Sequence, residues 1–247
     1  VAGVTRGAVR RRPGATPPGS TAGPVVSVGR PPGWLLAVSA LVTVAVTADL
    51  LGGGVLERVD LRVSEVVSAW ALADSGAYRP VWVVTQLGGR GSILVVLAGL
   101  VGYLGWRFRT AVPLVRVLFA LLLLTVVVYS LKYGTGRTAP AYPGSFFHRD
   151  GASYPSGHVA NAVLMWGVAR WQVVEHRLAP WVQRTALVFS VAGPVATGVA
   201  MVCLDFHWVT DAVVGAAVGV LLLGVVHALD DVVLPRWAGA RTARSSG

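Results

Sequence analysis

The 247-residue chain is 54% hydrophobic and only 13% charged, with a positive mean hydropathy, whereas a soluble domain carries about a quarter charged residues. That balance excludes an ordinary soluble domain and points to one compact, all-α, polytopic membrane domain. The net charge of +10 comes without zinc-finger spacing or a basic stripe interleaved with aromatics, which argues against nucleic acid as a partner, and the single cysteine, Cys203, excludes an intramolecular disulfide.

Residues 1–33 are rich in Pro, Gly, Thr and Arg, with Arg10, Arg11 and Arg12 in a row. They bury too little apolar surface to fold, and a disordered cytoplasmic tail is expected. The apolar run from Trp34 continues to Gly54, longer than a signal core, so a retained helix is expected. Six spans follow from the apolar runs: Trp34–Gly54, Gly91–Trp106, Ala111–Leu131, His158–Trp171, Ala186–Leu204 and Trp208–Ala228. The second and fourth are short for a bilayer. Between the first two, residues 56–80 place Leu56, Val59, Val63, Val66, Val67 and Trp70 at helical spacing among Glu57, Arg58, Asp60, Arg62 and Glu65. This predicts an amphipathic extracytoplasmic helix that lies on the membrane or caps a six-transmembrane-helix bundle. The membrane domain is thus set at 34–230, followed by a cytoplasmic tail at 231–247.

An even number of spans puts both termini on one side. Arg107, Arg109 and Arg116 flank the second connection, Arg170, Arg177 and Arg184 the fourth, and Arg236, Arg241 and Arg244 the C-terminal tail. All of these fall on the side of the N-terminal arginines, whereas Arg58, Arg62, Arg79 and Arg90 on the other side are balanced by acids. The positive-inside rule therefore predicts a multi-pass cell-membrane protein with cytoplasmic termini. Loop 132–157 and the Asp205–Trp208 connection then face outward at one level.

That outward level collects residues that a membrane core does not tolerate. Lys132, the only lysine, ends the third span, and loop 132–157 holds Arg137, His148, Arg149 and Asp150. His158 opens the fourth span, while His207 and Asp211 stand where the fifth gives way to the sixth. Ionisable groups at membrane depth are costly and mark function by default. Singly each has a bland reading: a snorkelling lysine, an ordinary capped helix, an interfacial histidine. Together they make a site. Tyr154-Pro155-Ser156-Gly157-His158 is a tight turn opening a helix, where Ser156 can cap and free N–H groups can hold an anion. His207 and Asp211, four apart, share a helix face, so the carboxylate can hold one ring nitrogen and leave the other free as nucleophile or base.

With these residues in order, residues 80–228 resemble the type 2 phosphatidic acid phosphatase superfamily, the membrane lipid phosphate phosphatases related to vanadium haloperoxidases. Its members carry Lys, six residues, Arg-Pro; then Pro-Ser-Gly-His; then Ser-Arg, five residues, His, three residues, Asp. Here the first motif reads Lys132-Tyr-Gly-Thr-Gly-Arg137-Thr-Ala139-Pro140. The second is intact at Pro155-Ser156-Gly157-His158, and the third reads Ala200-Met201, five residues, His207, three residues, Asp211. The resemblance implies a phosphohistidine at His207, oriented by Asp211, with His158 as acid and then base. Lys132, Arg137 and the backbone around Ser156 and Gly157 would hold the phosphate. The substrate implied is a lipid phosphate, with no cofactor and no metal, and the sequence shows no metal-ligand cluster. Ala139 and Met201 stand where the family has arginine. Two lost charged hydrogen bonds cost roughly 3–6 kcal/mol, and Arg137, two positions before Ala139, is expected to compensate by reaching the phosphate. A phosphotransferase acting on a lipid or sugar hydroxyl and a catalytically weak lipid-phosphate binder are the alternatives. Gly215 and Gly219 are read as close helix packing, and the oligomeric state is left open.

Overall fold

The computed structural model describes residues 29–142 and 144–245, with 233–245 described as backbone. The tail expected over 1–33 lies outside the described residues as far as residue 28. The architecture is all-helical: α1 (Gly33–Leu51), α2 (Val55–Ser68), a 3₁₀ turn at Leu72–Asp74, α3 (Tyr78–Thr85), α4 (Arg90–Phe108), α5 (Val112–Thr135), α6 (Gly157–Glu175), α7 (Pro180–Cys203) and α8 (Val209–Ser245). Five of these, α1, α4, α5, α7 and α8 to Val232, are long and apolar enough to cross a bilayer. The fourth expected span, α6, has the length but carries His158, Asn161, Arg170 and Gln172.

The reason α6 tolerates polar residues is its position. It is the central helix, packed against α4, α5, α7 and α8, and most of its residues are buried. The lipid-facing surface belongs to its neighbours: Leu41, Val95, Leu122, Val126, Val191 and Val195 are all exposed. Hydropathy reports contact with lipid, and α6 has little. Its close approach to α8 depends on small residues. A Cβ at Gly215 would lie 2.6 Å from the Ser156 carbonyl oxygen, and one at Gly219 would lie 2.7 Å from the Val163 Cβ. The packing role expected of both glycines therefore holds.

Several expected boundaries shift. The second and fourth spans lengthen to nineteen residues each, and α7 begins six residues before Ala186. α8 runs on to Ser245, so the backbone of the tail set at 231–247 continues the last span as helix. The amphipathic segment 56–80 is not one helix. It breaks at Ala71, which sits in the left-handed region at φ 47°, into α2 and the short α3. Of the two positions predicted for it, the structure shows the cap: α2 packs on α1, α7 and α8.

At the end of the bundle away from that cap, Arg116 is only 6% exposed and joins three helices. It donates to Asp230 of α8 at 2.6 and 2.8 Å, pairs with Glu175 of α6, and stacks over the Trp171 ring at 4.1 Å. From Arg116, α5 runs sixteen residues to Lys132, about 24 Å at 1.5 Å per residue, so two polar layers bracket an apolar slab of near-bilayer thickness. Removing one partner of a buried ion pair costs about 3–5 kcal/mol. Arg116→Ala is accordingly expected to lower the thermal unfolding midpoint in detergent while leaving KM, set at the far end, unchanged. An unaltered midpoint would show that the clamp contributes nothing.

Candidate active site

The site is built on three turns at the capped end of the bundle. α5 stops at Gly136, in the left-handed region at φ +61° that favours glycine, where a Cβ would also lie 2.7 Å from the His148 carbonyl oxygen. The chain then folds as a flap, with Thr138 N–H donating to Phe146 O, His148 N–H to Gly136 O, and Ser153 N–H to Arg137 O, each at 2.8 Å. The Lys132 ammonium donates to the Ala152 and Ser153 carbonyls, closing the base of the flap. Burial raises the pKa of the Tyr154 phenol, so it stays protonated and shares a 2.6 Å hydrogen bond with Thr47 of α1. Ser156 N–H donates to the Asp211 carbonyl at 2.9 Å, which fastens the start of α6 to the start of α8.

Between these turns lies an open cleft of about 630 Å³, with Lys132, Ser153, Gly157, His158 and His207 on its wall. His207 is nearly buried, and its Nδ1 is 3.1 Å from Ser153 Oγ and 3.2 Å from Asp211 Oδ2. Ser153 Oγ also donates to the same Asp211 oxygen. With Nδ1 so held, Nε2 is the nitrogen left for chemistry. Asp211 Oδ2 further accepts the Trp208 N–H at 3.3 Å, capping α8 with the residue that orients the imidazole.

Behind Asp211 lies a second charged layer. Arg137 is 1% exposed, and its terminal nitrogens donate to Asp211 Oδ1 at 2.7 Å, Thr210 Oγ1 at 2.6 Å and Asp60 Oδ2 at 2.7 Å. Its guanidinium lies 5.4 Å from the Trp208 ring centroid and 6.0 Å from that of Tyr154. Asp60 comes from α2; it also accepts the Thr210 N–H at 3.1 Å and the Thr210 hydroxyl. Ser64 and Ser68, one and two turns on, donate to Asp205 at 2.8 and 3.0 Å. The cap helix is therefore sewn to the α7–α8 turn by its polar stripe.

The structure brings together Lys132, Gly157, His158, His207 and Asp211 as the sequence predicts, but two expectations need correction. Arg137 does not line the cleft. Two carboxylates draw its guanidinium to the far side of Asp211. Ser156 is fully buried off the wall: its N–H is spent on Asp211, its side chain makes no cap bond, and its Oγ has no partner. Gly157 and the helix start beyond it are what remain to meet an anion. Ala139 does lie on the wall, whereas Met201 is buried away from it. His148 is half exposed and 3.6 Å from Asp150, and neither it nor Arg149 lines the cleft.

Sequence reasoning missed Ser153, Thr210 and Asp60. Ser153 and Thr210 sit beside recognised motif residues, but nothing local marks which neighbours turn inward. In the sequence Asp60 is one of five charges on an amphipathic helix, with nothing in its own charge to set it apart from Glu57, Arg58, Arg62 and Glu65. The signal for it was the Asp60-Ser64-Ser68 stripe, an acid and two small hydroxyl residues at i, i+4 and i+8 along one side of the amphipathic helix.

Residues 113–233, which contain the cleft's two histidines and the carboxylate behind them, match the model of the PAP2 superfamily. Through that region the chain is similar to the PAP2 superfamily. A curated relative, phosphatidylglycerophosphatase B of Bacillus subtilis (strain 168), is 32% identical over 104 residues. That match covers 41% of this chain and 50% of the relative, so the chain spans about half the length of the protein it matches. A crystal structure described as the first transmembrane PAP2-type phosphatidylglycerolphosphate phosphatase from Bacillus subtilis superposes with a TM-score of 0.57. It is 21% identical, over 81% of this chain and 96% of that one, which establishes the shared fold. The PAP2 match begins at the start of α5 and leaves out α1 to α4, so Asp60 of α2 lies outside it.

Proposed function

We propose that this PAP2-like protein is a membrane phosphatase that cleaves a lipid phosphomonoester or diphosphate at the extracytoplasmic face through a phosphohistidine on His207. The observation that carries the reading is the His207 imidazole, held at Nδ1 by Asp211 and Ser153 on the wall of a cleft shared with His158 and Lys132. In the first step Nε2 bonds to phosphorus as the bond to the leaving oxygen breaks, and protonated His158 gives that oxygen its proton. In the second, neutral His158 takes a proton from water, the resulting oxygen attacks phosphorus, and the P–N bond breaks to release phosphate and restore His207. Lys132 and the N–H groups opening α6 meet the charge on the phosphoryl oxygens. The outward placement follows from the arginine bias of the opposite loops and tails.

The relative's name makes phosphatidylglycerophosphate the first substrate to assay, with phosphatidic acid and a polyprenyl diphosphate beside it. Purified chain in detergent is expected to release orthophosphate from at least one of these, at a rate unchanged by EDTA, since no step calls on a metal ion. Absence of release from all three would defeat the proposal, and loss of release on chelation would defeat its metal-independent form. A lipid-phosphate binder with weak turnover is the second reading, favoured by Ala139 on the cleft wall in place of arginine. The same assay separates the two.

A further inference from the structure

Two cationic positions of the family's cradle and their expected substitute are unavailable here: Ala139 carries no charge, Met201 is buried off the wall, and Arg137 is committed to Asp60 and Asp211. Lys132 has spent part of its donor capacity on two carbonyls. A phosphoryl group with two negative charges is best met by a planar guanidinium. Among the described residues, one guanidinium lies on the cleft wall, and it belongs to Arg90.

Arg90 is the first residue of α4, outside the PAP2 match and outside all three motifs. It is exposed, its side chain makes no hydrogen bond or ion pair with any described residue, and its guanidinium sits 5.8 Å from the ring centroid of Tyr129, another wall residue. The backbone that presents it is braced from α6. Trp166 Nε1 donates to Leu87 O at 2.8 Å, and Asn161 Nδ2 donates to Gly88 O at 2.9 Å. Gly88 lies so close to the His158 carbonyl that no side chain fits there. The turn before Arg90 is thus pressed against the turn that carries the proposed acid–base histidine. An unpaired cation on a braced turn beside the reacting residues has a binding role open to it that a lipid-facing anchor does not.

We propose that Arg90 is a phosphate-binding residue, supplying to the cleft the guanidinium that positions 139 and 201 lack. The assignment rests on the hydrolase reading only for the identity of the anion it holds. Two readouts on the full chain in detergent test it: the rise in unfolding midpoint with added orthophosphate, and KM and kcat on dioctanoyl phosphatidic acid. Arg90→Ala is expected to weaken the orthophosphate response and raise KM about ten- to a hundredfold. Arg90→Lys should fall between it and wild type, and Arg79→Ala, exposed and away from the cleft, should match wild type. The midpoint without phosphate reports folding, and Arg90→Lys carries the comparison if the alanine variant does not fold. A wild-type phosphate response in both Arg90 variants overturns the assignment. If wild type turns over no lipid phosphate but binds orthophosphate through Arg90, the hydrolase reading fails and this one stands.

Discussion

Replacing His207 by alanine is expected to lower phosphate release on the order of 10⁴–10⁶-fold, because the proposed mechanism assigns the covalent intermediate to this side chain. His158→Ala should cost about 10²–10⁴-fold, the usual worth of a general acid–base, and should fail differently. With a leaving group as acidic as p-nitrophenol the first step needs little protonation. His158→Ala then phosphorylates His207 but hydrolyses it slowly, so acid-labile phosphoprotein accumulates. His207→Ala forms none. The double variant should be no slower than His207→Ala alone, since residues that act as one unit are not additive. Rapid quench with radiolabelled substrate, followed by gel analysis, reads all three. Phosphoprotein formed by His207→Ala would transfer the nucleophile's role elsewhere and undo the mechanism.

The sequence made this pair of histidines legible because their neighbours are local: Gly157 precedes His158, and Asp211 lies one helical turn from His207. The spans were legible for the same reason, since lipid contact is written residue by residue into hydropathy. What was not legible depends on tertiary contact. α6 is polar for a membrane helix because the bundle surrounds it, and no window along the chain reports that. Arg137 stands two positions from where the family has its phosphate-binding arginine, yet the direction of its side chain is decided by Asp60, 77 residues away in sequence. Arg90 looked like one surface charge among several until α6 was seen to hold its turn against His158. Motifs point to the histidines proposed to react; the charges placed around them come in part from helices outside the motifs.

Arg137→Ala is expected to be among the most destabilising single changes at the site, and the reason separates the observed network from the substitute phosphate-ligand role expected of it beside Ala139. In the native protein Arg137 balances two buried carboxylates, Asp60 and Asp211, each 0% exposed at the side chain. Removing it leaves both without a countercharge, at a cost of about 3–5 kcal/mol. It also lowers kcat, because Asp211 loses the partner that fixes Oδ1 and so holds His207 less firmly. Asp60→Asn alone should destabilise by a smaller amount, since Arg137 and Asp211 remain as a neutral pair. In the Arg137→Ala background the sign should reverse: Asp60→Asn removes one of two unpaired charges and raises the unfolding midpoint. Such a reversal is a coupling between positions in contact, and a double-mutant cycle measures it directly. A residue that bound substrate phosphate would behave otherwise. Its loss would raise KM, leave the midpoint of the free protein unchanged, and be indifferent to Asp60. Those three results together would return Arg137 to the cleft and leave Asp60 as no more than a cap on the first turn of α8.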